Sequence, residues 1–365
     1  MSLEFQILKT AVVILNYNGK HWLEKFLPSV LEHSSGAEIW VADNASTDDS
    51  IDFLHQSFPE VNLLVNARNG GYAGGYNDAL KEIEAEVYVL LNSDIEVTKN
   101  WIPPILETFK NHPEIAAIQP KIRSHALKDH FEHAGASGGY IDFLGFPFCR
   151  GRLFHKVETD LGQYENPSYV FWATGACLFI RSKDFHEIGG LDELFFAHME
   201  EIDLCWRLQR KGRKSAVVPS SMVYHVGGGT LNTLSPRKTF LNFRNNLFML
   251  YKNLPKKGFK RLMFIRLSLD GIAGVKFLIG MQPRHFLAVL RAHGEFYKNL
   301  KALKVSRKAI PHHPSFDQME GIYMKSVVAQ FFLFGKRKFS DLPEIKTNLL
   351  EKPLNQEGKN SVRSH

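Results

Sequence analysis

Cysteine is scarce in this chain: three in 365 residues, Cys149, Cys177 and Cys205, far apart and in no CxxC spacing. That excludes a disulfide-stapled scaffold and a cysteine zinc cluster, and it fits a reducing compartment. Long uncharged apolar runs are missing as well. The best candidate, LSLDGIAGVKFLIGM, is interrupted by Asp270 and Lys276 and falls short of the roughly 18 residues a spanning helix needs. The N-terminal MSLEFQILKTAVVILNYNGK has no basic leader, and Asn16 and Asn18 cut off its apolar run. It reads as the first core strand of a cytoplasmic protein. There is neither a GxGxxG turn nor a P-loop, so a dinucleotide fold of the usual kind and a Walker ATPase are unsupported.

What remains is ordinary globular composition, 44% hydrophobic and 23% charged, with an unusual distribution of charge. Residues 235–308 hold 17 Lys and Arg against two acids, Asp270 and Glu295, although the whole chain carries only +7. The first part is therefore acidic, and the two parts have different tasks. The expected division is a catalytic unit over 1–234, a basic amphipathic helical region over 235–310, and an extension over 311–365 whose tail, EKPLNQEGKNSVRSH, is disordered.

Short apolar runs alternate with helical patterns through the first 120 residues. Strands are predicted at 11–17, 38–44, 61–66, at EVYVLLN and at 115–122. Helices fall between them: 21–34, disturbed by Pro28; 47–58, with Ser46 or Thr47 as N-cap; a helix opened by the glycine-rich NGGYAGGYN; and WIPPILETFKNH. Such alternation predicts an α/β fold, a Rossmann-like, doubly wound, mostly parallel sheet. Residues 123–170 read as loops or a hairpin. YVFWATGACLFIRS reads as a strand pair or a strand broken at Gly175. A helix follows from about His198 to Lys211, then a strand ending at His225.

Open sheets of this kind bind ligands beyond the carboxyl ends of their strands. Four polar clusters fall at such ends: Asn16-Tyr17-Asn18, Asp43-Asn44, Asn66 to Gly75, and Asn92-Ser93-Asp94. Any one of them could be an ordinary polar strand tip; four together favour a ligand site. Asp43 is placed to accept from a ribose hydroxyl or a pyrimidine N–H, whereas Asp48 reads as a turn residue. The glycines of RNGGYAGGYND let a ligand approach the backbone, with the following helix N-terminus facing an anion. Asp94 suits Mg2+ or Mn2+, which take a few carboxylate oxygens and complete their shells with water and phosphate. His225 could add a nitrogen ligand and so favour Mn2+. In HMEEIDLCWR, the acids Glu200, Glu201 and Asp203 oppose the helix dipole, and Asp203 can pair with Arg207. One of the three could instead be a general base, and physics alone does not choose among them.

NYNG, VADNASTDDS, NGGYAGGYN, LLNSD, TGACLFIRS, GGLDELFF, EEIDLCWRLQRKG and the late histidine resemble, in the family's own order over about residues 10–250, the inverting family 2 glycosyltransferases, and most closely their rhamnosyltransferase-like branch. The resemblance implies a GT-A fold with a C-terminal helical extension, and a nucleotide-diphosphate-sugar donor. It implies Asn16, Asn18, Asp43 and Asn44 near the nucleoside, and Gly71, Gly74 and Asn77 along the donor, with Asn92 and Ser93 beside them. Asp94 and His225 would hold the cation, and Glu201 would be the base, beside Glu200 and Asp203. Two departures stand out: Asn92 replaces the first acid of a DxD motif, and Glu201 replaces an aspartate. The QxxRW motif of processive synthases is absent, which implies one sugar per encounter. The implied activity is transfer with inversion to a glycan or lipid-linked hydroxyl in cell-surface polysaccharide synthesis; the branch suggests dTDP-rhamnose as donor and leaves UDP- and GDP-sugars open.

The interleaved basic and apolar residues after Ser235 suit an anionic membrane surface, in keeping with a peripheral protein on the inner face of the membrane. The alternatives are core-completing helices with a solvated basic face, and nucleic acid, which no recognition module supports. Two other functions compete. A sugar-nucleotide nucleotidyltransferase would carry a glycine-rich N-terminal Lys/Arg signature that NYNGKHW lacks. A donor-binding pseudoenzyme or membrane-surface scaffold would bind the donor and release no nucleotide.

Overall fold

The computed structural model describes residues 8–227 and 235–350; the tail expected to be disordered lies outside them. The chain begins β1 (Thr10–Asn16), α1 (Lys20–His33), β2 (Ala37–Asp43), α2 (Ser50–Ser57), β3 (Asn62–Val65), α3 (Gly71–Leu80), β4 (Val87–Asn92), β5 (Ile95–Val97), α4 (Pro103–Asn111) and β6 (Ile115–Ser124). Four short strands follow, β7 (Gly139–Asp142), β8 (Pro147–Cys149), β9 (Arg152–Leu153) and β10 (Lys156–Val157), then β11 (Ser168–Val170), β12 (Cys177–Arg181), α5 (Ser182–Glu187), α6 (Glu200–Arg210) and β13 (Lys214–His225). Helices α7 (Pro236–Asn253), α8 (Phe259–Ile279), α9 (Pro283–Lys298) and α10 (Leu300–Ala309) precede β14 (Ile322–Tyr323) and α11 (Val327–Phe332).

The main sheet runs β11-β13-β6-β12-β4-β1-β2-β3, with β5 paired to β13. It is parallel from β4 through β1 and β2 to β3. Strand β12 enters antiparallel to both β4 and β6, so the sheet is mixed rather than mostly parallel. Side chains alternate with period two. Val12, Ile14, Val89 and Leu91 face α1, α2 and α4 through Leu23, Leu27, Leu54 and Ile105. Ala11, Val13, Tyr88 and Leu90 face the other layer, built from α3, α6 and the C-terminal helices. The sheet is doubly wound, an α/β fold with a helical C-terminal region.

Parallel register sets the ligand edge. Asn16 lies opposite Asp43, Asp43 opposite Val65, and Leu15 opposite Asn92, so all four polar tips share one edge. The segment 139–157 forms a second small sheet, completed by β14 beside β7. Leu247, Leu250, Phe296 and Leu303 belong to the same buried cluster as Leu204 and Leu208. The late helices therefore share a core with α6 instead of standing apart.

Two local expectations change. Helix α1 runs through Pro28, because that ring is exposed while Leu23, Phe26, Leu27 and Val30 hold the helix to the core. Ser46 and Thr47 do not cap α2, which starts at Ser50; they bond to Asn18 and Asp43 instead. Gly71, Gly74 and Gly75 of NGGYAGGYN sit within α3 and Gly70 just before it, since a bare helix face is what the sheet edge admits. A Cβ at Gly75 would lie 2.8 Å from Leu15 Cδ1 and 2.9 Å from Asn44 Nδ2. Gly75→Val should therefore cost about 1–3 kcal/mol, the usual penalty of overpacking, read as a lowered midpoint in urea unfolding.

Candidate active site

The tips of β1 and β2 are locked by amides. Asn16 Nδ2 donates to Asp43 Oδ1 at 3.0 Å, and Asp43 Oδ2 accepts from Ser46 N at 2.8 Å. Asn18 Oδ1 accepts from Thr47 N at 2.7 Å. Asn44 donates to the Gly71 carbonyl at 2.9 Å and accepts from Gly70 N at 3.2 Å. Asn16, Asp43 and Asn44 are buried, so they shape this edge of the sheet by fixing its loops, while Tyr17 and Asn18 are exposed there.

The start of α3 differs from its expected form. Tyr72 N and Ala73 N both donate to the Phe196 carbonyl, at 2.8 and 3.3 Å, and Gly71 N donates to Asn69 Oδ1 at 2.9 Å. The donors expected to face an anion are already satisfied. Gly71, at φ +69°, is required for that contact: a Cβ would lie 2.4 Å from Phe196 O. Asn77 is likewise engaged, its amide donating to Leu191 O at 2.8 Å and accepting from Leu191 N at 3.0 Å. Gly74 opens toward the Glu193 side chain, 3.8 Å from where its Cβ would be.

Asp94 follows β4, with Asn92 and Ser93 half-buried beside it. The antiparallel register of β13 on β5 brings His225 opposite Ile95, and His225 Nε2 lies 3.1 Å from Asp94 Oδ1. The other ring nitrogen is 3.2 Å from Glu132 Oε2, off ideal hydrogen-bond geometry. Burial alone would lower the His225 pKa; the hydrogen bonds and charges of Asp94 and Glu132 overcome it and lift the pKa to about 10. The arrangement thus favours positive charge on the His225 ring, a proton that a bound cation would displace. Among the described residues no three His, Cys, Asp or Glu converge as a ready-made metal cluster. One carboxylate and one imidazole, the latter backed by a second carboxylate, nevertheless fit a cation that takes its remaining ligands from water and phosphate. Glu132 escaped the sequence reading because FEHAG carries no periodic or motif signal.

The acids of α6 occupy three environments. Asp203 is fully buried and saturated: Arg207 Nε at 2.7 Å and Lys252 Nζ at 2.8 Å meet Oδ2, and Asn253 Nδ2 at 2.7 Å meets Oδ1. Burial works against its ionisation, but the two cations win and hold its pKa below the usual carboxylate range. It is an anchor, not a free base. Glu200 is buried and Glu201 half-buried, each with an unpartnered Oε2. Burial, together with the charge of Glu201, pushes Glu200 well above the usual range. Burial lifts Glu201 to about 7, against backbone hydrogen bonds that favour its charged form.

Strained backbone precedes this pair. Phe196, His198 and Met199 all have positive φ, at 63°, 71° and 73°, a costly conformation for side-chain-bearing residues. Asn245 of α7 holds them, donating to the carbonyls of Phe195, Ala197 and His198 at 2.9, 2.8 and 2.7 Å. The two halves of the site meet at residues 174–176. Asn92 N donates to Ala176 O at 3.0 Å, Thr174 Oγ1 donates to Ala134 O at 2.7 Å, and Ala134 N bonds Glu132. Gly175 O accepts from Tyr72 OH at 2.6 Å, and a Cβ on Gly175 would lie 3.6 Å from Glu201 Cβ. One loop thus borders the tip that carries Asp94 on one side and Glu201 on the other.

Comparison with known proteins agrees with this geometry. The family model described as glycosyl transferase family 2 matches residues 11–189, a stretch that includes Asp94 and stops before Glu200, Glu201 and His225. Over 235 residues the chain is 29% identical to an N-acetylglucosaminyl-diphospho-decaprenol L-rhamnosyltransferase of Mycobacterium tuberculosis, covering 59% of this chain and 75% of that one. It is 25% identical over 269 residues to the low-salt glycan biosynthesis hexosyltransferase Agl10 of Haloferax volcanii, covering 71% of this chain and 80% of that one. A crystal structure of GalNAc-T7 with UDP, GalNAc and Mn2+ superposes with a TM-score of 0.59 at 17% identity, covering 86% of this chain but only 56% of that one; the likeness there is one of fold. Sheet and flanking helices are those of a GT-A glycosyltransferase. The chain belongs to glycosyltransferase family 2.

The raised acids have a linkage consequence. A carboxyl whose pKa is higher in the folded state than in the unfolded one is destabilising wherever the unfolded chain would ionise it. For Glu201 that cost grows as pH rises from about 4.5 to about 7 and is constant above. Glu201→Gln should therefore melt at a higher temperature than wild type at pH 8 and at the same temperature at pH 4, in parallel calorimetric scans.

Proposed function

We propose that this glycosyltransferase moves one sugar from a nucleotide-diphosphate donor to a hydroxyl of a glycan or lipid-linked acceptor, with inversion, in the synthesis of a cell-surface polysaccharide. One observation carries the reading: Glu201, a carboxylate with one unpartnered oxygen and a pKa near neutrality, shares the 174–176 loop with the edge that bears Asp94 and His225. A base poised near the working pH combines a useful population of its ionised form with a useful proton affinity.

In this reading Asp94 and His225 would hold a divalent cation, Mn2+ or Mg2+, which would supply Lewis-acid neutralisation of the leaving diphosphate. Glu132 fixes the His225 ring from behind. Glu201 accepts the proton of the acceptor hydroxyl, whose oxygen forms the new bond to the anomeric carbon as the bond from that carbon to the diphosphate oxygen breaks. Attack opposite the leaving group inverts the centre. Glu200, more deeply buried, stays protonated beside it and spares the pair a second negative charge. Asp203 positions the helix, and Asn16, Asp43 and Asn44 hold the nucleoside edge open. The activity of the mycobacterial relative, rhamnosyl transfer onto a decaprenyl diphosphate-linked sugar, supports dTDP-rhamnose as donor and a lipid-linked acceptor, met at the inner face of the membrane.

Asp94→Ala and Glu201→Gln should each lower kcat by about a hundredfold or more with unchanged circular dichroism. Thermal shift against dTDP-, UDP- and GDP-sugars with Mn2+ should single out dTDP-rhamnose; a larger shift with another sugar nucleotide would reassign the donor. For wild type, kcat/KM should rise with pH through about 7 and level off above, because Glu201 must be ionised to accept the proton. A profile flat from pH 5 to pH 8 would remove Glu201 from that role.

A further inference from the structure

The polarity of α8 is inverted. Its inward positions, Met263, Arg266, Asp270 and Gly274, recur three and four residues apart. Two of them are charged and buried: Arg266 Nε donates to Asp270 Oδ1 at 3.0 Å, and His293 of α9 lies 3.5 Å from Asp270 Oδ2. Along the outward stripe, Phe264, Ile272, Val275 and Ile279 are 73%, 65%, 51% and 78% exposed. A helix on a water-facing surface puts its charges out and its hydrocarbon in; here the order is reversed.

The apolar surface continues past the helix. Met281, in the turn after α8, is exposed, as are Phe332, Leu333 and Phe334 at the end of α11. Lys276 Nζ lies 5.2 Å from the Phe332 ring centroid and joins the two segments. Lys260, Arg261, Lys276, Arg284, Arg337 and Lys338 are exposed around them. From Lys256 to Gly294 the sequence contains one acid, Asp270, and it is buried. No helix among the described residues is long and apolar enough to cross a membrane.

We propose that the outward face of α8, with Met281 and the 332–334 segment, seats in the headgroup–acyl boundary of an anionic bilayer, lying in the plane of one leaflet. Apolar residues in the centre bury among acyl chains, and the basic surround meets lipid phosphates; this is the composition of a monotopic surface. A second copy of the chain fits less well, because a symmetric contact would set Lys276 and Arg284 against like charges. Nucleic acid would use the basic residues but leave the apolar centre in water. The inference deepens the lipid-linked acceptor reading and rests on it for its purpose, but its test uses no acceptor.

Full-length protein is floated with phosphatidylcholine vesicles and with vesicles that also contain phosphatidylglycerol. Wild type should float with the anionic vesicles and remain below with the neutral ones. The triple variant Phe264→Ser, Ile272→Ser, Ile279→Ser should lose about tenfold of the bound fraction, and Lys276→Glu with Arg284→Glu should abolish the preference for anionic lipid. Thermal shift with the sugar nucleotide, measured without vesicles, reports fold and donor binding separately and should be unchanged in both variants. Wild type that stays below with both vesicle types overturns the proposal. So does a serine variant that floats like wild type, or a lipid-free wild-type dimer that the serine variant loses in sedimentation velocity. If the serine variant fails to fold, the charge variant decides: an unaltered lipid preference overturns the proposal.

Discussion

The carboxylate of Asp203, sealed from water and gripped by Lys252, Arg207 and Asn253, joins the two parts of this molecule. Its partners come from its own helix and from α7. Lys252 also reaches Asp192 at 2.5 Å, and Arg207 donates to the carbonyls of Ile188 and Gly190. Such a cluster contributes little net stability against a hydrocarbon core of equal volume, but losing one partner leaves an uncompensated buried charge, at about 3–5 kcal/mol. It therefore fixes register: α6 can occupy one position on α7, and the carboxyls at its first turn are fixed with it.

That placement explains how three acids within four residues acquire different properties. Asp203 has donors for both oxygens and stays ionised. Glu200 and Glu201 are drawn into the same apolar surroundings without cations and are pushed toward neutrality. Pulling neighbouring carboxyls apart in acidity is how one site assigns different proton-handling roles to similar groups. The left-handed run before them carries conformational strain, and Asn245 helps to hold it by donating to the carbonyls of Phe195, Ala197 and His198.

Much of this was legible in the sequence. Alternating strands and helices gave the layered sheet, and the polar tips shared an edge because parallel register puts equivalent strand ends side by side. The i,i+4 spacing foretold the Asp203–Arg207 pair. What stayed hidden was tertiary. Nothing in FEHAG marks Glu132 as the partner of His225, and nothing near Lys252 says that it crosses to Asp203. The glycines of α3 were read as an anion cradle, whereas Phe196 occupies the donors; a glycine records that something comes close, not whether it is ligand or protein. Strand β12 could not be given a direction from its composition, because antiparallel insertion depends on the loop before it.

Helix α7 also bears on where the polypeptide can be cut. A fragment ending ahead of it would keep every motif by which the family is recognised. It would leave Asp203 with Arg207 as its one remaining partner from that cluster and release the bend at 195–199 from Asn245. The partners that neutralise the Asp203 carboxylate and hold the first turn of α6 in place thus lie beyond the stretch that the family shares.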